Sequence, residues 1–283
     1  MKNVKERFEL EDMQLVIRLY EEGYSTREIA KITKLTFQEV VVLLKRLVKD
    51  LKVDNYVDYD EIDDSRLLIV SDTHMGSRFE NMDYIREAYK YAEDHGIHIA
   101  IHCGDVIQST VVNVKREYIN EEDQVRHVIE DYPYSDTMKT YVLLGNHDYL
   151  SFNKDAKYLE LLKTRNDFNI MGYRRIYLNW LGSRISIYHS VKKFLFHMPV
   201  LPTSLNLCGH SHMLSYNGKE DELNVPALCN DMIQNKGAHP GFLIGTKNDE
   251  SIDLNSFYFT DSLHDEGVVL SKKLKQCIKT SKI

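Results

Sequence analysis

Long apolar runs, paired cysteines and internal repeats are all missing from this chain of 283 residues. No stretch approaches the ~18 consecutive apolar residues needed to cross a bilayer. Met1 to Leu10 (MKNVKERFEL) holds no signal-peptide core. A cytoplasmic protein with no membrane partner is the expectation. Only four cysteines occur, Cys103, Cys208, Cys229 and Cys277, none in C-x-x-C spacing. That argues for buried thiols and against a disulfide framework or a zinc knuckle. Strong charge is lacking too. The formal net charge is −7, and residues 1–52 are only mildly basic, with 11 Lys+Arg against 9 Asp+Glu, so bulk charge assigns no nucleic-acid partner. What remains is an ordinary globular composition, 43% hydrophobic and 28% charged, which excludes a disordered chain and can fill a sizeable core.

Four segments are predicted: a small all-α domain over 1–52, an acidic linker over 53–65, a large α/β domain over 66–262 and a tail over 263–283. In the first, Met13, Val16, Ile17 and Tyr20 recur at helical steps, Gly23 interrupts them, and Ile29, Ala30 and Ile32 open a second face. Thr36-Phe37-Gln38-Glu39 has the form of a capping box before a third helix carrying Val40, Val41, Leu44, Leu47 and Val48. The stretch "EEGYSTREIAKITKLTFQEVVVLLKRL" resembles helix-turn-helix domains. The resemblance implies that Thr36, Gln38 and Glu39 face bases, with Lys45 and Arg46 near phosphate and DNA as partner. The alternative is a docking bundle that makes a homodimer. Asp54 to Asp64 (DNYVDYDEIDD) is the acidic linker.

From Arg66 onward, short apolar runs alternate with helical stretches, as in an α/β sheet that delivers its loops to one edge. Strands are predicted at Leu67–Val70, Ile97–Ile101, Tyr141–Leu144, Arg184–Tyr188, Leu205–Cys208 and Gly241–Thr246, with a helix over Met82–His95. Five runs end in potential ligands. "LLIVSDTH" gives Asp72 and His74, "IAIHCGD" gives Asp105, and "YVLLGNHD" gives Asn146, His147 and Asp148. "ISIYH" gives His189, and "LNLCGHSH" gives His210 and His212. Carboxylates, an amide oxygen and imidazoles are the donor mix that suits Mn, Fe or Zn. Glycines at 104, 145 and 209 precede the polar residues and would let the backbone turn sharply. In Asp72-Thr73-His74 and His210-Ser211-His212, an extended backbone would send both outer side chains to one side.

In order, D-x-H, G-D, G-N-H-D, H and G-H-x-H resemble the calcineurin-like metallophosphoesterase superfamily over about Arg66 to Thr260. The resemblance implies a four-layer α/β/β/α sandwich and a two-metal centre, Mn first, with Fe or Zn as alternatives. Asp72, His74 and His212 would hold one ion, Asn146, His189 and His210 the other, and Asp105 would bridge them. A bridging hydroxide would attack a phosphoester. His147 would sit near the scissile phosphate as the proton donor, with Asp148 either orienting a histidine or capping its loop. The family pattern has glycine after the fifth-motif histidine where this chain has Ser190, and His197 is the alternative ligand there. "SDTHMGSRFEN" looks closest to the nuclease-like branch, with Arg78, Lys192 and Lys193 as candidate phosphate contacts. A DNA nuclease is the expected function. Its rivals are a nucleotide phosphodiesterase or phosphoprotein phosphatase with a dimerising bundle, and a DNA-binding regulator with a non-catalytic scaffold.

Overall fold

The computed structural model describes residues 15–16, 19, 26–37, 39–40, 43, 58–110, 120–173, 175–189, 203–219, 221–230 and 239–274. The chain forms two compact units, residues 1–56 with 191–201, and 57–190 with 202–283.

In the first unit, helix α1 spans Thr26–Thr33. Val16, Leu19, Ile29, Val40 and Leu43 bury a small apolar cluster. Thr36 and Glu39 exchange the bonds of a capping box. The Glu39 carboxylate accepts the Thr36 N–H at 2.9 Å and its hydroxyl at 2.8 Å, while Thr36 Oγ1 accepts the Glu39 N–H at 3.2 Å. The Thr36 hydroxyl, expected to face bases, is therefore occupied in starting a helix. Gln38, Lys45 and Arg46 lie outside the described residues.

The second unit is built on two sheets. One runs β13-β12-β11-β2-β3-β4-β5 and the other β1-β6-β7-β8-β10-β9. The first sheet has a parallel centre: β2 (Arg66–Val70), β3 (Ile99–His102), β4 (Lys139–Leu144) and β5 (Phe168–Tyr173). It is extended antiparallel by β11 (Gly241–Lys247), β12 (Ser251–Phe259) and β13 (Leu263–Lys273). The second contains β1 (Asp58–Ile62), β6 (Arg175–Trp180), β7 (Ser183–Tyr188), β8 (Leu205–Cys208), β9 (Ser215–Asn217) and β10 (Glu222–Asn224).

The central strands are apolar on both faces because both are covered. Leu67, Ile69, Ile101 and Leu143 face Leu178, Trp180, Ile185, Ile187, Leu205 and Leu207 of the second sheet. Leu68, Val70, Ala100 and Val142 face the helices α2 (Met82–Asp94), α3 (Glu121–Asp131), α4 (Asn146–Lys154) and α5 (Lys157–Leu162). All four of these helices lie on that one face.

Two expected boundaries move. Asp58–Ile62, inside the stretch taken for a linker, is strand β1 and pairs in parallel with β6. Its acidic residues disguised an edge strand, where one side of the backbone already faces solvent and charge is tolerated. Leu263–Lys273, taken for a tail, is the longest strand of the first sheet and pairs along β12. Its side chains are mostly exposed or half-buried, so the apolar alternation that marks a strand is faint.

Candidate metal centre

The loops after β2 and β3 are zipped together past the ends of the strands. Asp72 N–H donates to Gly104 O, His74 N–H to Asp105 O, Met75 N–H to Val106 O and Gln108 N–H to Met75 O, at 2.8–3.1 Å. The zip fixes the first two motifs relative to each other.

The ligand residues themselves take the unusual backbone. Asp72 (φ 51°), His74 (45°), Asp105 (57°), His210 (79°) and His212 (60°) are all left-handed, a conformation that costs an L-residue of the order of 1 kcal/mol or more. Asp72-Thr73-His74 and His210-Ser211-His212 are thus not extended. A coiled backbone, rather than strand alternation, brings their side chains together. Among the preceding glycines, only Gly104 has a positive φ. Gly145 and Gly209 are needed for close approach instead. A Cβ on Gly145 would collide with Asp105 Oδ1 and its amide nitrogen, and one on Gly209 with Ser71 Oγ, Cys103 O and His189 Nδ1.

The seven expected ligands converge. His74 Nε2 and His212 Nε2 are 3.2 Å apart, and Asp72 Oδ1 lies 3.3 Å from His212 Nε2 and 3.6 Å from His74 Nε2. Bonds of about 2.0–2.1 Å to a shared ion put neighbouring donors about 3.0–3.4 Å apart, so this triad is spaced as ligands are. Asp105 Oδ2 lies 3.0 Å from His189 Nε2 and 3.8 Å from His74 Nε2, between the two groups. His210 Nδ1 and Asn146 Oδ1 are 2.9 Å apart.

Neighbouring bonds decide which atom of each ligand is left to bind. Asp72 Oδ2 accepts the Ser71 hydroxyl at 2.5 Å and the His210 N–H at 2.9 Å, leaving Oδ1. Asp105 Oδ1 accepts the His147 N–H at 2.8 Å, leaving Oδ2. His189 Nδ1 donates to Cys103 O at 2.7 Å, leaving Nε2. Asp72 Oδ1 and His189 Nε2 are buried without a hydrogen-bond partner. A buried polar atom in that state is costly unless something not made of protein completes it, and this donor set fits a divalent metal.

Electrostatics without the ion run the same way. Burial works against the Asp72 carboxylate, but His189, His212 and His74 more than reverse it and hold the carboxyl well below its usual range. Asp105 is likewise lowered against burial, by His189, His147 and His74. Burial opposes charge on His189, yet Asp105 and Asp72 push it up to about 10. A proton on His189 holds the place of a cation that a metal must displace, whereas burial lowers His74 and His210 toward the neutral, ligating form.

His147 is half-buried, with Nε2 3.9 Å from Asp105 Oδ2 and Nδ1 donating to Gln108 O at 2.6 Å. Asp148 does not orient a histidine. Its carboxylate accepts the N–H groups of Val106 (3.1 Å), Ile107 (2.9 Å) and Gly145 (2.8 Å), tying the second and third motifs together. Burial and the Asp105 charge push its pKa up to about 6. Arg78 is exposed on the loop after His74. Lys192, Lys193 and His197 lie outside the described residues.

Helix α3 was not foreseen, and it braces three of the ligand-bearing segments. Gln124 Oε1 accepts the Ser109 N–H at 2.8 Å, and its side chain fills the space beside Gly76. His127 bonds Glu80 at 2.9 Å, and Glu80 in turn accepts the Gly76 N–H at 2.5 Å. Glu121 accepts the Thr110 hydroxyl and, at 3.3 Å, the Lys154 ammonium of α4. Asn120-Glu121-Glu122-Asp123 carried the signal, a capping residue before an acidic first turn.

Residues 66–230 match the model of the calcineurin-like phosphoesterase superfamily domain. The chain belongs to this superfamily of phosphoester hydrolases. No curated protein matches it. Solved structures of similar fold include zinc-complexed Vps29 from Entamoeba histolytica (12% identity, TM-score 0.43, covering 74% of this chain and 98% of that one). A predicted phosphoesterase from Streptococcus pneumoniae TIGR4 has 13% identity and a TM-score of 0.39, over 72% and 97% of the two chains. The nuclease MPE of Pseudomonas putida has 14% identity and a TM-score of 0.38, over 70% and 86%. At such distances the family assignment rests on the sequence match. Among the described residues, no helix is long and apolar enough to cross a membrane.

Proposed function

We propose that this protein is a divalent-metal-dependent phosphodiesterase that cuts DNA, with two ions, Mn first, as its cofactor. The observation that carries the reading is the gathering of His74 and His189 on either side of Asp105 Oδ2, with Asp72 Oδ1 and His189 Nε2 buried without a hydrogen-bond partner. Asp72, His74 and His212 would hold one ion, Asn146, His189 and His210 the other, and Asp105 both. When bound, such ions neutralise phosphoryl charge and acidify a water for attack on phosphorus. The chain's own part is positioning and proton transfer. Arg78, exposed at the rim, would hold a non-reacting phosphate oxygen. His147, with Nδ1 engaged behind it, presents Nε2 to the leaving oxygen. DNA as substrate is supported by the form of the first motif and by the helix-turn-helix resemblance of residues 1–52.

One observation favours a second reading, in which residues 1–52 dock or dimerise and the substrate is a nucleotide or phosphoprotein. Thr36 and Glu39 are bound to each other, while Ile32 and Phe37 are exposed apolar residues. Mn²⁺-dependent cleavage of end-labelled single- and double-stranded DNA, with His147→Ala and metal-free protein alongside, tests the proposal. Cleavage lost in both controls supports it. Intact DNA with hydrolysis of bis(p-nitrophenyl) phosphate keeps the metal centre and overturns the substrate. Salt-sensitive DNA binding that disappears when residues 1–52 are altered would overturn the docking alternative.

A further inference from the structure

Behind His147 stands a residue to which no role has yet been given. The main-chain oxygen of Gln108 accepts the His147 Nδ1–H at 2.6 Å, and the side-chain Nε2 of the same residue lies 3.4 Å from that nitrogen. Gln108 is fully buried, and its Oε1 has no hydrogen-bond partner. Two donors thus face each other while a buried carbonyl oxygen goes unpaired. The two ends of an amide have nearly the same shape, but one accepts hydrogen bonds and the other donates them, so the network decides which way it faces. Turning the group over brings Oε1 to the imidazole N–H and replaces a donor–donor contact with a donor–acceptor one. The backbone here has little freedom, because Gln108 N–H donates to Met75 O at 2.9 Å within the zip that holds Asp72, His74 and Asp105.

We propose that Gln108 is a positioning residue for His147, its main-chain oxygen and its side-chain Oε1 together accepting the one Nδ1–H. Two acceptors on a single N–H fix both the tautomer and the plane of the ring, so Nε2 stays on the Asp105 side, 3.9 Å from Oδ2. The kinetic part of this inference rests on the phosphodiesterase reading above. In that reaction a water-derived oxygen bonds phosphorus as the phosphorus–oxygen bond to the leaving group breaks, its electron pair going to the leaving oxygen. The proton on His147 Nε2 passes to that oxygen, and a neutral imidazole remains, still held through Nδ1. The two carbonyl oxygens hold the ring without placing a further formal charge beside Asp105.

Gln108→Met keeps length and burial and removes the acceptor. On a dinucleotide, whose alkoxide leaving group needs the proton, the expected result is unchanged metal content and KM with kcat lowered about tenfold, the scale of one hydrogen bond to a positioned group. The main-chain oxygen still holds the tautomer in this variant, so the ¹⁵N shift of His147 Nδ1 should move toward that of an N–H with a single acceptor. Gln108→Glu, which retains an acceptor oxygen at the same reach, should keep the wild-type ring pattern. If Gln108→Met fails to fold, this variant alone decides, and loss of the pattern in it overturns the proposal. A kcat within twofold of wild type in Gln108→Met, or unchanged imidazole shifts whatever kcat does, also overturns it. If the wild-type protein hydrolyses no phosphoester, the functional reading fails by itself, and the ring shifts of the metal-free protein still decide the Gln108 contact.

Discussion

Adding one methyl group at Gly145 tests whether the ligand loops are held by contact. Gly145 has φ −83° and ψ −173°, an extended backbone open to any residue, so Gly145→Ala carries no conformational penalty of its own. Its Cβ would instead collide with Asp105 Oδ1 and the Asp105 amide nitrogen. The backbone of Asp105 is fixed in the zip with His74, while Oδ1 is tethered only by the His147 N–H at 2.8 Å. Overpacking of this kind costs roughly 1–3 kcal/mol. For a domain of this size that is about 2–4 °C in Tm per kcal/mol, so a fall of roughly 2–12 °C is expected. The relief must come from the Asp105 carboxylate, which would swing Oδ2 from its position 3.0 Å from His189 Nε2. A displacement near 1 Å costs a positioned group on the order of 10²-fold in rate. Gly182→Ala is the control. Gly182 sits at φ 75° with nothing within 4 Å of a new Cβ, so it should lose stability through backbone strain alone and keep its metal and activity. Thermal melts, metal content by mass spectrometry and turnover of bis(p-nitrophenyl) phosphate measure all three quantities. Normal metal content and activity in Gly145→Ala would refute the contact argument.

Asp148→Ala leaves three buried backbone N–H groups without their acceptor and should cost on the order of 3 kcal/mol. A collapse in kcat with no change in Tm would instead restore a chemical role for Asp148. Asp105→Asn should lower metal content, because the side chain whose Oδ2 faces the cluster no longer carries charge. Full metal content would remove Asp105 as the bridge. His127 has a pKa raised above 6.5, with burial opposing and Glu80 and Asp131 prevailing. Its contribution to stability is therefore complete below pH 6.5 and lost as the pH rises through the folded value. Denaturant melts of wild type and His127→Gln should converge as pH increases over that range, and a constant gap would dismiss the ion pairs as the cause.

The motif residues were legible because chemistry restricts their type. Asp72, His74, Asp105, Asn146, His210 and His212 each follow an apolar run that had to be a covered strand, and the covering shows in Leu67–Val70 as four consecutive buried residues. Helix α3 was less legible, since its fully buried apolar residues are only Val125 and Val128, with Ile129 partly buried, and much of its packing is polar, through Glu121, Gln124 and His127. Periodicity counts hydrophobic residues, so a helix that braces loops by hydrogen bonds escapes it. Strand β1 escaped for the related reason that Asp58-Tyr59-Asp60-Glu61 contains almost no apolar residues. The role of Asp148 could not be read from the sequence at all. An aspartate beside a histidine offers two plausible uses, and only the positions of Val106, Ile107 and Gly145 decide between them.

The left-handed ligands were equally hidden, because side-chain identity does not announce a positive φ outside glycine, and the adjacent glycines drew attention to themselves. Their conformation makes a prediction that ordinary propensity reverses. At a typical strand or helix position alanine is more stable than glycine by roughly 0.5–1 kcal/mol, since glycine loses more freedom on folding. His212 lies at φ 60°, where an L-residue pays about 1–2 kcal/mol that glycine does not. The difference leaves His212→Gly more stable than His212→Ala by up to about 1 kcal/mol. Both variants lack the imidazole, so the lost ligand cancels when metal-free proteins are compared. Equilibrium denaturation with chelator present should place the glycine variant's midpoint above the alanine variant's. The opposite order would mean that the loop relaxes once the imidazole is gone. The positive φ would then be a consequence of gathering the donors, not a cost the surrounding bonds impose. If glycine leads, the bonds around this loop, such as the His210 N–H to Asp72 Oδ2 at 2.9 Å, hold it in its strained shape before any ion arrives, and this side of the metal centre is preformed.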